Sequence, residues 1–147
     1  VATSICPSVL ALDIGKKRIG VAGCDRLGLF ATGLTTIERQ SLPQVIEALR
    51  PIVQERDVTR LVIGMPYRMD GTIGPQAKHT RKTGQAIAQA LNLPIDWIDE
   101  RLTSYAAEEL LKAENIAPSR HKGLIDRKAA AIILQQWLDA QAAAPLS

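Results

Sequence analysis

The sequence predicts an α/β domain whose mixed five-stranded sheet starts as three antiparallel strands and continues as parallel β-α units, with helices flanking it. Two observations predict this class. Short β-prone runs separated by turn residues occupy the first forty positions, and helix-period and strand-like segments alternate after them. Aromatic residues make up only 3% of the chain, so the core must come from Ala, Val, Ile and Leu, which suits helices packed on a sheet. At 147 residues, 46% of them hydrophobic and 22% charged, the chain is expected to form one domain, with a core from about residue 8 to 141 and a loose tail beyond.

Ser8–Ile14 (SVLALDI) and Arg18–Cys24 (RIGVAGC) read as a hairpin around Gly15, Lys16 and Lys17. Leu29–Ile37 adds a third strand after the turn-like Asp25–Gly28. Ser41 is placed to cap a helix through about Arg56, with Pro43 in its first turn and Val45, Leu49, Ile52 and Val53 on its apolar face. Val58–Met65 reads as a buried strand, Pro66–Gly74 as a loop and Pro75–Leu91 as a helix, before a last strand over Pro94–Glu100. Thr103 can cap a helix to about Glu114, and Lys122–Gln141 completes the order β-β-β-α-β-α-β-α-α.

The formal charge of +3 and a pI near 9.1 permit an anionic partner without requiring one. The basic clusters Lys16-Lys17-Arg18, Lys78-Arg81-Lys82 and Arg120-His121-Lys122 fit phosphate contact and solvated surface equally well. Cys6 and Cys24 match no metal spacing and are too few for a disulfide framework. With no membrane-length apolar run and no leader-like amino terminus, a soluble cytoplasmic protein is expected.

Three carboxylates occupy places that disfavour them. Asp13 closes a run of Leu10, Ala11 and Leu12, and a buried carboxylate needs a compensating partner; an aspartate turning the chain before Gly15 is the plain alternative. Asp126 shares a helical side with Ala129, Ala130, Ile133 and Trp137, although a first-turn aspartate favoured by the helix dipole also explains it. Asp99 and Glu100 end the last strand, where open α/β sheets carry functional groups. Apolar neighbours occur on both faces there, so alternation does not choose between the two acids. If these acids converge, they form the oxygen-donor set that Mg2+ or Mn2+ requires, and paired ions could drive phosphoryl transfer without a Ser, Cys or His nucleophile.

Four segments in register carry a resemblance: DIGKKRIGVA (Asp13–Ala22), GMPYRMDGTIGPQA (Gly64–Ala77), DERLTS (Asp99–Ser104) and KGLIDRKAAAIILQQWL (Lys122–Leu138). From about Leu10 to Leu138 the chain resembles the bacterial pre-16S rRNA nuclease, or YqgF, family, which is similar to Holliday junction resolvases. The resemblance implies an RNase H-like fold and a nuclease with Asp13, Glu100 and Asp126 as catalytic and metal-binding acids, Asp99 being the alternative to Glu100. It further implies processing of the 5′ end of pre-16S rRNA, with branched DNA as the alternative substrate. The family's usual G-L-P loop reads Gly64-Met65-Pro66 here, a departure that touches no candidate ligand.

Around the acids, Arg18, Asp70, Gly71, Arg101 and Thr103 are the expected substrate contacts, while a structured turn accounts equally for the loop of Asp70 and Gly71, and helix capping accounts for Thr103. His79 and His121 read as surface residues. A non-catalytic nucleic-acid-binding module is the main competing function. The spacing Asp-x-Gly-x-x-x-x-Gly from Asp13 to Gly20 also resembles the phosphate loop of sugar kinases and actin-like ATPases, but those enzymes close two domains over the nucleotide and one is expected here. A monomer is expected, because no long exposed apolar stripe remains once the core helices are assigned.

Overall fold

Alternation of side chains along the strands builds two cores, one on each face of a single sheet. The computed structural model describes residues 8–99 and 122–143. Strands β1 (Val9–Ile14), β2 (Arg18–Cys24), β3 (Ala31–Glu38), β4 (Arg60–Met65) and β5 (Ile95–Asp99) lie in the order β3-β2-β1-β4-β5. β2 pairs antiparallel with both β1 and β3, whereas β4 runs parallel to β1 and β5. The mixed sheet expected from the sequence is the one observed.

Leu10, Leu12 and Ile14 point to one side, where α1 (Leu42–Glu55) and α2 (Pro75–Leu91) cover them with Val45, Leu49 and Ile87. Val9 and Ala11 point to the other, beneath α3 (Lys122–Ala143) and its Ile133, Leu134 and Trp137. Among the described residues, α3 is the helix that packs on the face carrying Val9 and Ala11 of β1. None of the helices described is long and apolar enough to cross a membrane.

Local chemistry sets the boundaries. Ser41 caps α1, its hydroxyl accepting from the Gln44 amide at 3.3 Å. Helix α2 starts at Pro75, whose missing N–H costs nothing there, and stops where Asn92 turns left-handed with φ 57. β3 begins two residues later than the apolar pattern suggests, because the Asp25 carboxylate accepts from the amides of Leu29 at 2.8 Å and Phe30 at 3.2 Å, holding both in the turn. β4 likewise begins at Arg60 rather than Val58: Asp57 has φ 51, and the Val58 amide still bonds back to the Val53 carbonyl. The helix expected from Thr103 to about Glu114 lies outside the described residues.

At the end of the sheet where β5 begins, Trp137 Nε1 donates to Asp96 Oδ2 at 2.7 Å, and Arg60 Nη1 donates to Asp96 Oδ1 at 2.9 Å. One carboxylate thus joins α3, β4 and β5. Trp137→Phe should cost about 1 kcal/mol, since the donor is lost but Asp96 keeps Arg60 and some water. In thermal unfolding this is expected as a drop of about 2–4 °C; an unchanged transition would show that the bond contributes nothing.

Candidate active site

The site is built on the α3 face of the sheet, at the carboxyl end of β1. Asp13 has the parity of Val9 and Ala11, which pack against α3, so its side chain emerges on that face and is half-buried. Its partner across the hairpin is Gly20, and cross-strand partners share a face with Cβ positions roughly 5 Å apart. A Cβ on Gly20 would lie 1.9 Å from the carbonyl oxygen of Asp126. The first turns of α3 therefore rest in the space that Gly20 leaves open, next to Asp13. A second gap extends this seat, because a Cβ on Gly33 would lie 3.0 Å from Cβ of Arg127. The Asp126 backbone therefore rests on the residue without a side chain that hairpin pairing sets opposite Asp13.

Arg18 completes the cluster. It lies two residues before Gly20 on the same face, diagonal to Asp13, and its Nε donates to Asp126 Oδ2 at 2.7 Å. Both side chains retain solvent access, at 26% and 22%. The hairpin that presents Asp13 and Arg18 is braced from outside: the Gly15 amide donates to the Arg18 carbonyl at 2.9 Å, and Arg39 Nη1 donates to the Gly15 carbonyl at 2.7 Å. The Arg39 amide also donates to the Lys17 carbonyl at 2.8 Å. Nothing in the sequence pointed to Arg39, and Gly20 was marked only as the end of the phosphate-loop-like spacing. Gly20 was detectable from the hairpin register, whereas Arg39 acts through a contact 24 residues away and left no local signal.

The remaining candidates fall in different places. Asp99, exposed at the end of β5 opposite Met65, has the parity of Ile95 and Trp97, which pack with the α1 and α2 core. It therefore faces away from Asp13. Ile98, of the opposite parity, packs on the α3 side. Glu100, Arg101, Thr103 and His121 lie outside the described residues. Asp70 Oδ1 accepts from the Thr72 amide at 3.0 Å and its hydroxyl at 2.7 Å, and Gly71 has φ 87. That loop also closes through Arg68 N–H to the Thr72 carbonyl at 2.9 Å. Asp70 and Gly71 thus organise a tight turn beside the amino end of α2, with Arg68 against Gly74. His79 is exposed, as expected.

Asp13 and Asp126 offer carboxylate oxygens, the donors that hard divalent cations take, so these residues fit such an ion. Among the described residues no group of three acidic, histidine or cysteine ligands is assembled. Two acids placed together would repel each other, and the Arg18 guanidinium offsets that repulsion.

Comparison with known proteins adds the context of relatives. Residues 7–140 match the model of the family described as RuvX, Holliday junction resolvase. A protein of Crocosphaera subtropica named "Putative pre-16S rRNA nuclease" is 62% identical over 132 residues, covering 90% of this chain and 92% of its own. One of the same name from Trichormus variabilis is 59% identical over 132 residues, covering 90% and 87%. Among solved structures, RuvC of T. thermophilus in complex with a Holliday junction substrate superposes with a TM-score of 0.57 at 11% identity, over 94% of this chain and 97% of that one. At that identity the likeness bears on the fold, which is RNase H-like.

Proposed function

Since the chain belongs to the RuvX family, we propose that it is a nuclease in which Asp13, Asp126 and Glu100 hold Mg2+ or Mn2+ against a phosphodiester, most specifically at the 5′ end of pre-16S rRNA in the cytoplasm. The observation that supports the reading is the seat of α3 on Gly20, the cross-strand partner of Asp13, with the Asp126 backbone against that glycine. Glu100 is preferred over Asp99 because Asp99 has the parity of Ile95 and Trp97 and so lies on the α1 and α2 face, away from Asp13.

Bound divalent ions supply a water acidified for attack and charge to offset the leaving oxygen. The chain's own part is positional. Asp13 and Asp126 set the negative field into which a cation is drawn, and the Arg39 brace fixes the hairpin that carries Asp13. Arg18, at the mouth of that hairpin and paired with Asp126, would meet a phosphate oxygen, for which a guanidinium fork is well shaped. Arg101 and Thr103 are proposed as further phosphate contacts. The turn of Asp70 and Gly71 would shape the approach of the substrate backbone rather than offer a phosphate its carboxylate. Trimming one RNA end needs one site, so a monomer suffices.

The test is purified protein with Mg2+ or Mn2+ on a precursor of 16S rRNA and, separately, on a four-way DNA junction. The expected result is shortening of the precursor at its 5′ end, with binding that weakens steeply as salt rises. Matched cuts in the junction with the precursor intact would replace the rRNA reading by junction resolution. Binding to both substrates without cleavage would make the chain a non-catalytic module.

A further inference from the structure

We propose that Arg18 is a built-in counter-ion that a divalent cation displaces from Asp126, releasing the guanidinium for the substrate phosphate; this rests on the reading of Asp13 and Asp126 as a cation site. Arg18 holds Asp126 through an Nε–H···Oδ2 hydrogen bond of 2.7 Å. Arginine–carboxylate pairs are strongest when two nitrogens bind two oxygens. A single-donor pair with 26% and 22% exposure is tight enough to form and open enough to exchange.

Two further features favour displacement. Arg18 is the first residue of β2, at the rim of the hairpin, so its side chain can leave by rotation about its own bonds while the ladder stays intact. A divalent ion bound by Asp126 and a guanidinium bonded to the same carboxylate would be adjacent like charges, so each occupant weakens the other. Arg18 thus relieves repulsion between the acids before the cation arrives and turns to the phosphate afterwards. Cation binding would prepare the substrate contact, giving the site an order of assembly.

The experiment follows the Arg18 Nε–H signal of the 15N-labelled wild-type protein by NMR during a Mg2+ titration, with Mg2+ affinity measured in parallel by calorimetry. The Arg18 signal is expected to shift and exchange faster with solvent, with the midpoint of the calorimetric isotherm. Folded Arg18→Gln is expected to bind Mg2+ about tenfold more tightly, equivalent to ~1.4 kcal/mol, and Arg18→Lys to return toward the wild-type affinity. An Arg18 signal unmoved at Mg2+ saturation, or a folded Arg18→Gln with equal or weaker affinity, overturns the proposal while leaving the cation site standing. Absence of Mg2+ binding in the wild type, or binding that survives Asp13→Asn combined with Asp126→Asn, overturns both.

Discussion

Asp126→Asn is expected to reduce the rate of precursor cleavage by about two to four orders of magnitude, because the several kcal/mol that a bound cation contributes to the transition state depend on the charge of its ligands. The amide keeps the shape of the carboxylate, so α3 should stay on its seat at Gly20. The substitution also removes the charge from the Arg18 pair. That pair is partly exposed, so its loss should change stability by at most about 1 kcal/mol, far less than the catalytic effect. Asp13→Asn should cause a loss of similar size. Asp99→Asn, by contrast, should stay within about twofold of wild type, because Asp99 lies on the face of Ile95 and Trp97. Steady-state cleavage of one labelled precursor by the three variants checks all of this. Loss in Asp99→Asn with retention in Asp126→Asn would invert the assignment.

Gly20→Ala should have the largest effect on the folded state. The added methyl would sit 1.9 Å from the Asp126 carbonyl oxygen and 2.4 Å from its carbonyl carbon, both backbone atoms of a helix packed over the sheet. No rotamer relieves such a clash, so α3 must lift or slide. Overpacking of a well-filled interior commonly costs 1–3 kcal/mol, and a backbone-to-backbone collision belongs at about the top of that range. For a domain of this size that corresponds to a fall of roughly 6–12 °C in the melting temperature. The lifted helix would carry Asp126 away from Asp13, so cation affinity should fall together with stability. Differential scanning calorimetry with and without Mg2+ separates the two: the variant should melt earlier and gain less from the ion than wild type. A wild-type melting curve would mean that α3 does not seat on Gly20.

Most of the fold was legible because each element carries its own period and its own punctuation. Pro75 and Asn92 bracket α2, and the predicted span matches the observed one. Ser41 and Pro43 did the same for the start of α1. β3 and β4 were read two residues too early at their starts, since apolar pattern does not reveal that Asp25 holds Leu29 and Phe30 in a turn or that Asp57 takes a left-handed conformation. The site was legible as residue types but not as geometry. Asp13 and Asp126 each stood out against apolar neighbours, yet neither sequence position indicates the other. The seat of α3 opposite Asp13 depends on a glycine, and glycine gives no hydrophobic signal. The face of Asp99 needed the packing of the layers: only the assignment of Trp97 to the α1 and α2 side and Ile98 to the α3 side shows that Asp99 lies away from Asp13. The Arg60–Asp96–Trp137 contact was likewise invisible, because its members are 36 and 41 residues apart.

The central claim is that Asp13 and Asp126 jointly hold a divalent cation, and the binding of Mn2+ followed by electron paramagnetic resonance tests it most directly. The wild-type protein should take up Mn2+ and broaden its aqueous spectrum, Mg2+ should compete for the same place, and Asp13→Asn and Asp126→Asn should each lose most of the uptake while remaining folded. Mn2+ binding of wild-type strength in the folded double variant would contradict the claim and require a cation site built from other residues.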